Sequence, residues 1–111
     1  MNQEMDIAQL QGSAKNATEL LKVMSNEWRL LILCHLADGE KTVGSLESEL
    51  GLGQSALSQH LAVLRREKLV RTRRDAQSIF YSLDSGDAKA IMSTLYDRFC
   101  TVIPENEPLN L

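Results

Sequence analysis

The chain has 111 residues, 43% hydrophobic and 24% charged, with a formal net charge of −3. A chain of that length makes one small domain that buries its apolar surface incompletely, so self-association is a common way to finish the core. No run approaches the roughly 18 apolar residues of a membrane span, and there is no Gly-rich phosphate loop, CxxC or HExxH, so neither a membrane protein nor an enzyme is indicated and no cofactor is expected.

The opening MNQEMDIAQLQGS is polar and mildly acidic. It does not read as a secretory leader, which points to the cytoplasm, where two cysteines are expected as thiols. From about Met5 to Met24, Leu10, Ala14, Ala17, Leu21 and Met24 recur every three or four positions, which predicts a helix. Its stripe is expected to pack on its own domain or on a partner chain. Ser25 and Asn26 can cap a second helix with Glu27 in its first turn. The run WRLLILCHLA, Trp28 to Ala37, is apolar on nearly every side and predicts a buried helix that stops at Asp38-Gly39.

Thr42 to Leu50 predicts a short third helix, Gly51-Leu52-Gly53 a turn, and Gln54 to Glu67 a fourth helix. This is the helix-turn-helix order. Leu69–Arg74 and Ser78–Leu83 read as two strands joined by Asp75, Ala76 and Gln77. A last helix starts near Asp84 or Ser85 and carries Ala88, Ile91, Met92, Leu95, Tyr96 and Phe99 on its apolar side. Pro104 and Pro108 prevent its continuation. The fold class is therefore mostly α with a small β-hairpin, a winged helix-turn-helix. Residues 1–102 are expected to form the domain and residues 103–111 a loose tail.

On a helical wheel Leu57, Leu61 and Leu64 converge on one face of the fourth helix, while Ser55, Ser58, Gln59, Ala62 and Arg66 share the other. A small polar face suits a major groove, because Ser and Gln both donate to and accept from base edges. Gln54, Ser55, Ser58 and Gln59 are expected to read sequence, with His60 on the flank as a phosphate or base contact. Taken alone, the pattern also describes an ordinary amphipathic helix with a solvated face. The basic residues shift the balance. Six of the twelve Lys and Arg residues lie between Arg65 and Arg74 of an acidic chain, and charge gathered that way suits duplex DNA. Arg73, Arg74 and Gln77 are placed at a hairpin tip, within reach of phosphates or a minor groove. Arg65, Arg66, Lys68 and Arg71 can equally be ordinary surface charges, and about half of them, Arg65 and Arg66, are taken as further candidates. An acidic protein partner for the arginines is the alternative of a different class.

Three stretches carry a more specific likeness: Asn26 to Leu33 (NEWRLLIL), Gln54 to Leu61 (QSALSQHL) and Thr72 to Tyr81 (TRRDAQSIFY). With them the chain resembles the ArsR family of winged-helix transcriptional regulators, from the first helix to Cys100. The resemblance implies a homodimer binding double-stranded DNA at an imperfect inverted repeat. It places Leu10, Ala14, Ala17, Leu21, Met24, Ile91, Met92, Leu95 and Phe99, on the first and last helices, at the dimer interface. Many relatives bind a metal through a cysteine pair before the turn or through Asp, His and Glu on the last helix. This chain has neither set, and Cys34, Cys100 and His35 are incomplete for zinc, so no metal is expected.

The cysteines suggest another input. One cysteine in the second helix, Cys34, and one ending the last, Cys100, look like the persulfide- and redox-sensing branch of that family. The branch implies a switch in which a reactive sulfur species or oxidant modifies one thiolate and the second resolves it. A cysteine in an apolar helix is more often inert packing, and Arg29 is one candidate cation near Cys34 in the sequence. The recognition stretch and wing are also similar to a rhizobial nodulation regulator of the family. A constitutive repressor or an anti-silencing activator without a cysteine switch therefore stays open.

Overall fold

The computed structural model describes residues 6–100. The elements are α1 (Ile7–Met24), α2 (Glu27–Ala37), β1 (Lys41–Thr42), α3 (Val43–Leu50), α4 (Gln54–Arg66), β2 (Val70–Asp75), β3 (Ser78–Leu83) and α5 (Gly86–Phe99). The expected five helices and hairpin are present, and a two-residue strand joins them. β1 pairs antiparallel with β3, giving a three-stranded sheet in the order β1-β3-β2. The region expected as a loose tail after residue 102 lies outside the described residues.

Local chemistry sets the helix ends. Asn26 accepts a hydrogen bond from the Arg29 backbone N–H at 3.0 Å and caps α2. Ser85 does the same for α5 through Ala88, and Thr42 for α3 through Ser45. Gly51 ends α3 in the left-handed region at φ 67° and donates to the Glu47 carbonyl. The end of α4 is less ordinary. Lys68 sits at φ 66°, its N–H bonds the Arg65 carbonyl, and the Leu69 N–H bonds the Leu64 carbonyl. This is a Schellman motif with lysine in the glycine position, and the companion apolar contact is supplied by buried Leu64 and Leu69.

The core lies where α2, α4 and the sheet meet. Ile32, Leu33 and Leu36 of α2 pack with Leu46 of α3, and with Leu57, Leu61 and Leu64 of α4. Leu69, Val70, Leu83, Ala88 and Met92 complete it. The leucine face read from the fourth helix is thus the inward face.

Two expectations change. The second helix is not buried all round: Trp28 and Leu31 are 37% and 36% exposed, and Cys34 is exposed. An all-apolar helix needs cover on every side, and within one chain the sheet and its neighbouring helices supply it on one side only. The expected interface residues also divide. Leu10, Ala14, Ala17, Leu21 and Phe99 are exposed, whereas Ile91 and Leu95 are half-buried against the core. Met24 and Met92 are buried within the chain, at 4% and 5% exposure.

Candidate DNA interface and cysteine cleft

Gln54, Ser55, Ser58, Gln59, Ala62, Arg65 and Arg66 are all exposed on α4, opposite its leucines. Their hydrogen-bonding groups and two guanidinium groups are thereby set on one contour. Ser58, Ala62, Arg65 and Arg66 line an open cleft of about 430 Å³ together with Tyr81 of β3. The sequence presents Tyr81 as a strand residue at the end of the wing stretch, with no role at the recognition helix. Tyr81 meets α4 because it pairs with Thr72 and lies on the sheet face whose lower end, Val70 and Leu83, is buried. Period-2 alternation along IFYSL is the signal that could have found it.

The same pleat separates the two wing arginines. Arg74 pairs with Ile79 on the Tyr81 face, toward the recognition helix. It is exposed and makes no ion pair among the described residues. Arg73 pairs with Phe80 on the opposite face. It is not at the hairpin tip, which is Ala76-Gln77 between the paired residues Asp75 and Ser78. The Arg73 Nε donates to the Glu40 carboxylate at 2.9 and 3.1 Å, and its Nη2 donates to the same group. Its guanidinium carbon lies 4.5 Å from the centroid of the Phe80 ring. The Arg73 hydrogen bond holds the Glu40 carboxyl below the usual carboxylate range.

His60 is half-buried rather than free on the flank. Burial, and then the nearby Arg29 cation, push its pKa down, so the imidazole is neutral in neutral solution. Arg29 has a structural task. Its Nε donates to the Val23 carbonyl at 2.6 Å and its Nη2 to the Lys22 carbonyl, closing the end of α1.

Cys34 and Cys100 open into one cleft of about 980 Å³, walled by the end of α2 with its following turn, by Arg71 and Ser82 of the wing, and by Lys89, Met92, Ser93 and Tyr96 of α5. Both thiols are free and exposed. The Cys34 thiol is pushed up from its ordinary pKa, first by partial desolvation within the cleft and then by Cys100. The candidate cation Arg29 is committed to α1, and among the described residues no cation lowers this pKa. His35 points elsewhere: its Nδ1 lies 2.8 Å from Glu49 Oε1, in a network with Ser45 and Lys41. Among the described residues no group of three or more His, Cys, Asp or Glu is arranged to hold a metal. Among the same residues no helix is long and apolar enough to cross a membrane.

Residues 26–72 match the family model described as bacterial regulatory protein, arsR family. The chain is 50% identical over 96 residues to the transcriptional activator HlyU of Vibrio cholerae, covering 86% of this chain and 89% of that protein. It is 44% identical over 88 residues to the biofilm growth-associated repressor of Xylella fastidiosa, covering 79% and 77%. The solved structure of reduced HlyU from Vibrio cholerae superposes with a TM-score of 0.82 over 85% of this chain and 99% of that one, at 50% identity.

Proposed function

The chain belongs to the ArsR family of bacterial regulatory proteins and is a DNA-binding transcriptional regulator, and from that premise we propose a homodimeric, cytoplasmic repressor switched by Cys34 and Cys100. The observation that carries the switch is the shared cleft: thiols 66 positions apart in the chain line one cavity between α2, α5 and the wing. One thiolate attacks the outer sulfur of a persulfide RSSH, forming a protein persulfide and releasing RSH once a proton is taken up. The second thiolate attacks the inner sulfur of that persulfide and expels hydrosulfide, which leaves a bridge. Two protein thiols are oxidised and the sulfane sulfur is reduced. Ser55, Ser58, Gln59 and Gln54 read the major groove, and Arg65, Arg66, Arg74 and Gln77 meet the backbone or an adjacent minor groove. Exposed Leu10, Leu21 and Phe99 support a dimer through α1 and α5.

The test is binding to the inverted repeat of its own promoter, with the protein reduced and then treated with glutathione persulfide, followed by intact mass. Loss of affinity together with a Cys34–Cys100 bridge is expected. Equal binding in both states, or full response in Cys100→Ser, sinks the switch. A second reading rests on the raised Cys34 pKa, which disfavours the attacking thiolate at neutral pH: a regulator without a thiol switch, controlled by its abundance. Relatives of both signs, an activator and a repressor, lie at comparable identity, so an anti-silencing activator is the corresponding alternative.

A further inference from the structure

The wing is fastened to the wall of the cysteine cleft. Glu40 follows the turn that ends α2 and lines the cleft with Cys34 and Cys100. It also grips Arg73 of β2 through three N–H···O contacts. On the far side of the guanidinium, Asp75 Oδ2 lies 3.7 Å away, and Phe80 lies against its face. Arg73 therefore stands between two carboxylates and a ring, on the sheet face turned away from the recognition helix. A phosphate would have to compete with the Glu40 carboxylate for the same guanidinium. Arg71, two residues earlier on the same strand face, is itself a wall of the cleft.

We infer that Glu40 and Arg73 are positioning residues: their ion pair sets the wing in the DNA-competent pose and carries a change in the cleft to the wing. The inference rests on the proposed cysteine switch for its input. A bridge between Cys34 and Cys100 draws α2 and α5 together. The turn after α2 moves with them, and Glu40 takes Arg73 and the hairpin along. Bidentate geometry suits this task, because a forked guanidinium fixes direction as well as distance. Arg73 then acts on DNA through Arg74 and Gln77, without touching it.

The test uses the full chain as Glu40→Gln, Glu40→Asp and Arg73→Gln, each checked for an unchanged circular dichroism spectrum. Operator affinity is measured against salt in the reduced state, and again after treatment with glutathione persulfide. In the reduced state Glu40→Gln and Arg73→Gln are expected to weaken binding severalfold while leaving the slope of log K against log salt unchanged, since no phosphate contact is lost. The reduced-to-bridged affinity ratio is expected to fall toward one in both, no further when Glu40→Gln and Arg73→Gln are combined in one chain, and to recover in part in Glu40→Asp. A slope reduced by about 0.9 per protomer in Arg73→Gln would identify a phosphate contact and overturn the inference. So would an unaltered ratio in Glu40→Gln whose mass shows the bridge. If the unsubstituted protein forms no bridge, the sensor reading fails first and the coupling falls with it, an outcome distinguished by mass alone.

Discussion

Replacing Arg74 by glutamine tests the electrostatic half of the interface. Arg74 lies on the strand face shared with Tyr81, beside the cleft that Ser58, Arg65 and Arg66 form on α4. It has no carboxylate partner among the described residues, so nothing protein-bound must be given up when it meets a phosphate. Each neutralised phosphate contributes a slope of about 0.9 in log K against log salt, so two wings on one operator contribute about 1.8. Between about 50 and 200 mM salt that is a factor of 4 raised to about 1.8, roughly twelvefold. If the protein binds as the proposed dimer, the unsubstituted form should therefore lose about twelvefold more affinity across that range than Arg74→Gln. Fluorescence anisotropy with a labelled operator duplex at four or five KCl concentrations measures both slopes. Parallel lines for the two proteins would refute the placement of Arg74 on the DNA side. Equal slope losses from Arg73→Gln would refute the separation of the wing faces.

Three further outcomes are expected. Lys68→Gly should raise stability by about 1 kcal/mol in a denaturant titration, because the left-handed cap position disfavours any residue with a Cβ; a loss of stability would mean the lysine stem contributes more than its backbone costs. His60 has a folded-state pKa below its ordinary value, so the unfolded chain binds the extra proton first. Its contribution is present above about pH 6.5 and lost as pH falls through the depressed folded value; the melting temperature should drop in that window and the drop should flatten in His60→Gln. The rate of Cys34 alkylation by iodoacetamide should rise with a midpoint above that of an ordinary cysteine, and Cys100→Ser should move the midpoint down, since Cys100 contributes to the upward shift. Peptide mass spectrometry across a pH series reads this, and a midpoint below the ordinary value would contradict the partial desolvation of that sulfur.

The parts of the fold governed by near neighbours in sequence were legible. Leu57, Leu61 and Leu64 repeat at helical spacing and are buried as a set. Asn26 and Ser85 are cap residues by local chemistry and act as caps. What was not legible depends on pairing across distance. β1 is two residues long and has no period of its own; it exists because Lys41 and Thr42 lie beside Tyr81 and Phe80. Arg73 and Arg74 are equivalent as letters, and only the register with Phe80 and Ile79 assigns them to opposite faces. Glu40 is 33 positions from Arg73, so nothing local announces the ion pair. Arg29 was placed near Cys34 by sequence proximity, whereas its side chain reaches back to the carbonyls of the preceding helix.

The placement of both thiols in a single cleft has a kinetic corollary. Any bond closing between Cys34 and Cys100 is a ring closure within one polypeptide, with an effective concentration set by the cleft and independent of copy number. The fraction closed at a given inducer level would then be the same in a cell holding a few molecules as in one holding thousands. Dilution would erode the proposed pairing of protomers long before it affected the chemistry inside each of them.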